Sequence, residues 1–123
     1  MDVPTYNPYG ITQWGWRVTY KENFFLGKNV QIGSFTMIDA ENGVIIEDEC
    51  KIGPGVNILS TSTIDNKRGL IKLKKCCSIG ANSTIMPGII IGEKAIVGAQ
   101  SFVNKNIPAG ETWAGAPARK LKN

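Results

Sequence analysis

A six-residue rhythm of aliphatic side chains constrains this chain more than any other feature. Stepping by six from Leu26 gives Leu26, Ile32, Ile38 and Val44. After two extra residues the count resumes with Ile46, Ile52, Ile58 and Ile64, and after a longer insertion with Leu73, Ile79, Ile85, Ile91, Val97 and Val103. Every one of these positions holds Leu, Ile or Val. Two residues before them runs a second column of mainly small or β-branched residues: Val30, Thr36, Cys50, Val56, Ser62, Cys77, Ser83, Ile89, Ala95 and Ser101. Glycine often follows the aliphatic residue, as in Ile32-Gly33, Ile52-Gly53, Ile79-Gly80 and Val97-Gly98.

A period of six excludes an amphipathic α-helix, whose apolar stripe recurs every 3.6 residues. Each hexad reads as one short strand plus a turn, and three hexads make a triangular coil of about 18 residues. The aliphatic side chain points inward onto its equivalent one coil away, the small residue fits the corner, and β-branched residues suit flat parallel strands. One coil cannot bury its own interior, so stability is a sum over neighbouring coils. The fold class is therefore all-β, a parallel β-helix of about four to five coils. Residues 1–25 are not hexameric and carry Tyr6, Tyr9, Trp14, Trp16, Tyr20, Phe24 and Phe25, which predicts an aromatic N-terminal cap. The β-helix is assigned to 26–107, and a turn and arm to 108–123.

Two breaks interrupt the count: a small bulge, Ala40-Glu41-Asn42-Gly43, and a loop at 65–70, Asp65-Asn66-Lys67-Arg68-Gly69-Leu70. Loops carry function more often than repeat positions do. Asp65, Asn66, Asp39, Glu41, Asn57 and Ser60 in and near these breaks are the candidate polar site residues.

The 123 residues carry a net charge of +4, 42% hydrophobic and 20% charged side chains, and no histidine. No apolar run reaches the roughly 20 residues of a membrane-spanning helix. The first residues carry no basic, then apolar, secretory pattern, so a cytoplasmic location is expected. Nucleic-acid binding is not expected, because the strands lack aromatic stacking platforms. The basic clusters Lys72, Lys74, Lys75 and Arg119, Lys120, Lys122 suit a solvated surface or a polyanionic nucleotide. Cys50, Cys76 and Cys77 form neither a disulfide framework nor a zinc motif, and no metal is expected.

The stretch Ile79-Gly80-Ala81-Asn82-Ser83-Thr84-Ile85-Met86-Pro87-Gly88-Ile89-Ile90-Ile91-Gly92 resembles the final coils of hexapeptide-repeat acetyltransferases. So does Val97-Gly98-Ala99-Gln100-Ser101-Phe102-Val103-Asn104-Lys105-Asn106-Ile107-Pro108, and Ala114-Gly115-Ala116-Pro117-Ala118-Arg119-Lys120-Leu121 matches their closing motif. The resemblance covers about residues 26–121. It implies a left-handed β-helix, against the usual right-handed crossover rule. It also implies a homotrimer and acetyl-CoA as cosubstrate in a groove between two subunits. Carried over by motif, the cofactor contacts are the backbone at Ala81 and Ala99, then Asn104 and Lys105, with Arg119 and Lys120 near the nucleotide phosphates. Asn82, beside Ala81, is a candidate substrate contact.

The chain departs from the pattern at one point. Most members carry a catalytic histidine near the middle, where this chain reads Asn57-Ile58-Leu59-Ser60-Thr61-Ser62-Thr63-Ile64-Asp65-Asn66. General-base help is worth about 100- to 10,000-fold, and a sugar hydroxyl needs it. A neutral amine needs positioning more than deprotonation, and proximity supplies roughly 7–11 kcal/mol. The resemblance therefore points to N-acetylation of a nucleotide-linked amino sugar. The alternatives are a sugar O-acetyltransferase with Asp65 or Glu41 as base, or a non-catalytic scaffold. A carbonic anhydrase of this fold is excluded, because it needs histidine ligands.

Overall fold

The computed structural model describes residues 3–121. The first coil holds β1 (Arg17–Thr19), β2 (Phe24–Leu26) and β3 (Gln31–Ile32). The second holds β4 (Met37–Asp39), β5 (Val44–Ile46) and β6 (Lys51–Ile52). In the third, β7 (Asn57–Leu59) is followed by a hairpin of β8 (Thr61–Ser62) and β9 (Lys67–Arg68), then by β10 (Ile71–Leu73) and β11 (Ser78–Ile79). The fourth holds β12 (Thr84–Ile85), β13 (Ile90–Ile91) and β14 (Ile96–Val97). The last holds β15 (Phe102–Val103), a parallel bridge at Ile107, and β16 (Thr112–Gly115), onto which β17 (Ala118–Lys120) folds back antiparallel.

The strands stack into three sheets, one per side of the prism: β1-β4-β7-β12-β15, β2-β5-β10-β13 and β3-β6-β11-β14-β16-β17. The first carries the inward column Val18, Ile38, Ile58, Ile85 and Val103, and the third carries Ile32, Ile52, Ile79, Val97 and Trp113. The second carries Leu26, Ile46, Leu73, Ile91 and Ile107. This is the parallel β-helix that the hexads call for, in the left-handed form that the resemblance implies. Among the described residues no helix is long and apolar enough to cross a membrane.

The coils are less uniform than 18 residues. Met37 faces Asn57 at an offset of 20, Asn57 faces Thr84 at 27, Thr84 faces Phe102 at 18, and Ile96 faces Thr112 at 16. The corners absorb the difference, because the ladder fixes only the strands. The first strand, at Arg17, also precedes the Leu26 start of the hexad count.

Two positions of the expected columns leave the stack. Ile64 is 99% exposed between the hairpin strands, and Ser62 lies in β8. The buried Ile71 supplies the third-coil side chain beneath Val44, and the strand ends Val44 and Ile46 both point inward under the two-residue alternation. The excursion from the coil begins at Thr61, ahead of the expected 65–70. Its neck is closed by the Gly69 N–H, which donates to the Ser60 carbonyl at 3.0 Å.

Trp16 is buried over the first coil, edge-on to Tyr6 and Phe24 with ring centroids 6.3 and 6.1 Å away, and stacked on Trp14. At the far end Glu111 accepts the Trp113 indole N–H at 3.0 Å and pairs with Lys120 at 3.4 Å, locking β17 to β16. The indole donor first, then the ammonium, hold the Glu111 carboxyl below its ordinary value.

Two outcomes test this architecture. Ile58→Ala, which empties a site in the middle of the stack, should lower the unfolding free energy by about 2–5 kcal/mol. Ile64→Ala should change it by less than about 0.5 kcal/mol. Urea denaturation measures both. A carboxylate with a depressed folded pKa contributes stability above its unfolded value and loses it as the pH falls through the folded one. The Trp113 indole proton resonance should therefore shift as acid protonates Glu111, and Glu111→Gln should abolish that transition.

Candidate functional site

The three prism edges differ in content, and the candidate residues gather on the two edges that flank the first sheet. Along the edge entering that sheet, Phe35, Gly55, Asn82 and Gln100 occupy the same place in successive coils, with φ between 57° and 68°. This left-handed backbone lets each corner turn within a few residues. It suits Gly and Asn and is uncommon for phenylalanine. The corner carbonyls accept N–H groups from the next coil, as in Asn82 to Pro54 at 3.0 Å and Gln100 to Ala81 at 2.8 Å. Inside the corner, Ser83 and Ser101 both donate to the Gly98 carbonyl, at 3.0 and 2.7 Å.

Ala81 and Ala99 sit one coil apart on this edge. A Cβ on Gly80 would run into the Ala99 backbone, so glycine permits the close stacking of the coils here. Among the described residues neither the Ala81 nor the Ala99 N–H donates a hydrogen bond, and their methyl groups leave a shallow rail. Asn82 folds back over the preceding coil, where a Cβ on Gly55 would collide with its side-chain oxygen.

The opposite edge, leaving the first sheet, carries the Ala40–Gly43 bulge, the hairpin neck and, two coils on, Asn104 and Lys105. Asp39 Oδ1 accepts the Thr19 hydroxyl at 3.3 Å and the Glu41 N–H at 3.1 Å. Glu41 Oε1 accepts the Thr61 hydroxyl at 2.9 Å. Ser60 is fully buried, and its hydroxyl oxygen accepts the Asn42 N–H at 2.9 Å. Between the two edges lies the outer face of the first sheet, where Arg17, Met37, Asn57, Thr84 and Phe102 stack in register.

Asp39, Glu41, Asn57, Ser60, Ala81, Asn82, Ala99, Asn104 and Lys105 thus border one side of the prism. Asp65 and Asn66 stand off from it in the exposed hairpin turn, where Asn66 has φ 55°. The Ser62 hydroxyl first, with Lys67 4.0 Å away, holds the Asp65 carboxyl below the usual carboxylate range. Arg119 and Lys120 lie on β17 at the end of the prism. Among the described residues the Arg119 guanidinium donates only to the Ala118 carbonyl, whereas Lys120 is already paired with Glu111. Lys105 and Arg119 form no ion pair among the described residues. Of the mid-chain lysines, Lys72 pairs with Glu47 at 3.6 Å, on the second sheet and away from this side.

Two residues of the bordering network escape a reading by residue type: Asn42, which looks like the turn residue of a bulge, and Thr61, which looks like a hexad position. The coil repeat is the signal that relates them, since Asn42 and Thr61 lie 19 residues apart. Cys50 and Cys77 are buried with sulfurs 3.5 Å apart; their contact pulls the Cys50 thiol down and, with burial, pushes the Cys77 thiol up, while Cys76 is half-buried on the outside of the coil beside Glu49. A cleft of about 710 Å³ lies at the N-terminal end beneath Trp14 and Trp16. Its only charged lining residue is Lys28, so it lacks the chemistry gathered around the first sheet. No group of three or more potential metal ligands occurs among the described residues.

Two family profiles match the chain: Bacterial transferase hexapeptide (six repeats), over residues 71–105, and Hexapeptide repeat of succinyl-transferase, over residues 24–60. The serine acetyltransferase of Buchnera aphidicola subsp. Schizaphis graminum is 34% identical over 97 residues, which cover 79% of this chain and 37% of that protein. The dTDP-3-amino-3,6-dideoxy-alpha-D-galactopyranose 3-N-acetyltransferase of Aneurinibacillus thermoaerophilus is 55% identical over 47 residues, covering 38% of this chain and 24% of that one. The chain therefore spans well under half the length of these curated relatives. Among solved structures, a galactoside acetyltransferase in complex with coenzyme A matches with a TM-score of 0.81 at 26% identity, over 88% of this chain and 58% of that one. With its hexads, its three parallel sheets and both profiles in agreement, the chain belongs to the hexapeptide-repeat transferase family.

Proposed function

We propose that this chain is an acyl-CoA-dependent acyltransferase, using acetyl-CoA, that N-acetylates a nucleotide-linked amino sugar without a histidine base. One observation carries the reading: a transferase scaffold of this family with no imidazole anywhere in its sequence. An amino-sugar N-acetyltransferase among the relatives supports it.

In this reading acetyl-CoA runs along the rail of Ala81 and Ala99, whose free N–H groups suit the carbonyl oxygens of a pantetheine arm. Asn104 and Lys105 receive it on the far edge, and Arg119 and Lys120 meet its phosphates, where a guanidinium binds in two-pronged fashion. The acceptor lies over the first sheet between Asn57 and Asn82, with Asn66 reaching in from the hairpin. Glu41 and Asp65 hold its amino group in place, while Asp39 and Ser60 support the corner from behind. The amine lone pair attacks the thioester carbonyl carbon, the C–S bond breaks, and the nitrogen's surplus proton leaves to water or to the departing thiolate. A homotrimer in the cytoplasm, with this side of each prism facing a neighbour, completes the reading.

The discriminating experiment is a pH–rate profile with acetyl-CoA and a panel of nucleotide-linked amino sugars. The expected kcat/KM rises with pH and levels near the amine's own pKa, about 7–8 for an amine of lowered basicity, with no limb in the carboxylate range. Asp65→Asn should keep turnover within about tenfold, whereas loss of a true general base costs about 100- to 10,000-fold. Release of free thiol with hydroxyl acceptors alone overturns the reading. For the cofactor, Arg119→Ala should weaken acetyl-CoA binding about tenfold or more, the worth of a hydrogen bond to a charged group. Lys120→Ala should weaken it less, because Glu111 already holds that ammonium. Calorimetric titration with acetyl-CoA measures both.

A further inference from the structure

We propose that Asn42, acting through Thr61, is a positioning residue that fixes the pose of the β8–β9 hairpin at the edge leaving the first sheet and thereby sets acceptor affinity. The inference rests on the transferase reading and extends it to a residue that does not touch the reacting atoms.

The hairpin is the longest excursion from the coil, and little holds it. Its strands pair only through Thr61 with Arg68 and Ser62 with Lys67. A two-stranded ribbon of that size is marginal on its own, and its turn projects Ile64 wholly into solvent. The pose of the arm is therefore decided at its neck.

Asn42 sits at that neck from the coil below. One hydrogen of its amide goes to the Ser60 carbonyl at 3.1 Å and the other to the Thr61 hydroxyl oxygen at 2.6 Å. The Ser60 carbonyl also accepts the Gly69 N–H at 3.0 Å, so the outgoing and returning strands and the neighbouring coil meet on one oxygen. The Thr61 hydroxyl donates to Glu41 Oε1 at 2.9 Å, which closes a ring of hydrogen bonds between bulge and hairpin. The bulge is anchored in turn. The Asn23 amide donates to the Glu41 carbonyl at 3.1 Å, and Asp39, held by Thr19, accepts the Glu41 N–H. Three coils thus converge on the neck. The ring is half-buried and every bond in it is directional, so removing one donor leaves partners unsatisfied and lets the arm swing. A swung hairpin withdraws Asn66 and Asp65 from the acceptor and leaves the Ala81 and Ala99 rail untouched.

The test uses the full-length protein with Asn42→Ala, Thr61→Val and Thr61→Ser. Asn42→Ala and Thr61→Val should raise the acceptor KM about five- to twentyfold, the worth of one or two hydrogen bonds, with the acetyl-CoA KM within about twofold. Amide hydrogen exchange should accelerate across 62–68 and nowhere else in the coils. Thr61→Ser, which keeps the hydroxyl, should restore both readouts. If both KM values move together, or neither moves, the proposal is overturned. If Asn42→Ala does not fold, Thr61→Val against Thr61→Ser decides. If the wild type transfers to no amino sugar, the functional reading falls. Hydrogen exchange alone then decides the clamp: unchanged exchange at 62–68 overturns it, and faster exchange upholds it.

Discussion

Each coil of this protein buries its interior only against the coils above and below it. That dependence governs the rest of the structure. Ile38, Ile58 and Ile85 are fully buried because each covers the next in an in-register ladder. The ladder tolerates no lateral shift, since a slip of one residue would turn every aliphatic side chain outward. It is indifferent to what happens at the corners, where the chain only has to return to the next strand. Offsets of 16 to 27 residues between stacked partners show that tolerance. The rigid interior and the permissive corners are two consequences of one arrangement.

The proposed function draws on that division. A prism has three equivalent sides, and nothing in a regular repeat distinguishes them. Here the first sheet is singled out by its edges. One edge has methyl side chains and free N–H groups at Ala81 and Ala99, whereas the edge entering the third sheet, which repeats the left-handed corners, carries the long side chains of Glu49 and Lys94. The first sheet's other edge has the bulge, the hairpin and Lys105. Ile64, 99% exposed, belongs to that second edge. The β17 strand closes the same end of the prism where Lys105 lies, and there Glu111, held by the Trp113 indole, pairs with Lys120, while Arg119 has no acidic partner among the described residues.

The missing imidazole gives this geometry a specific chemical meaning. Without histidine, the polar groups around the first sheet are amides, hydroxyls and carboxylates, which orient and bind better than they deprotonate an alcohol. Such a site suits an acceptor that arrives nucleophilic. It also places weight on positioning, because proximity is then the main source of rate. The ring of hydrogen bonds at the hairpin neck is the kind of device that such a strategy requires.

The hexads were enough to specify an all-β stack with aliphatic side chains inside, because a period of six with Leu, Ile or Val at each step has one economical folded solution. The closing motif carried the family resemblance, and the absence of histidine is plain in the sequence. The periodicity misled where chance extended it: Ser62 and Ile64 fit the count yet stand outside the coil, while Ile71, off the count, fills the interior. A hairpin of four paired residues satisfies its own backbone locally, so no one-dimensional rhythm distinguishes it from another hexad. The contacts of Asn42 with Ser60 and Thr61, 18 and 19 residues away, arise only when one coil lies on the next. By itself the sequence determined the repeat, the core and the family. Which candidate residues border the first sheet, and what holds the neck of the hairpin beside it, was decided by the stacking of coils, because that stacking alone brings side chains from different turns into contact.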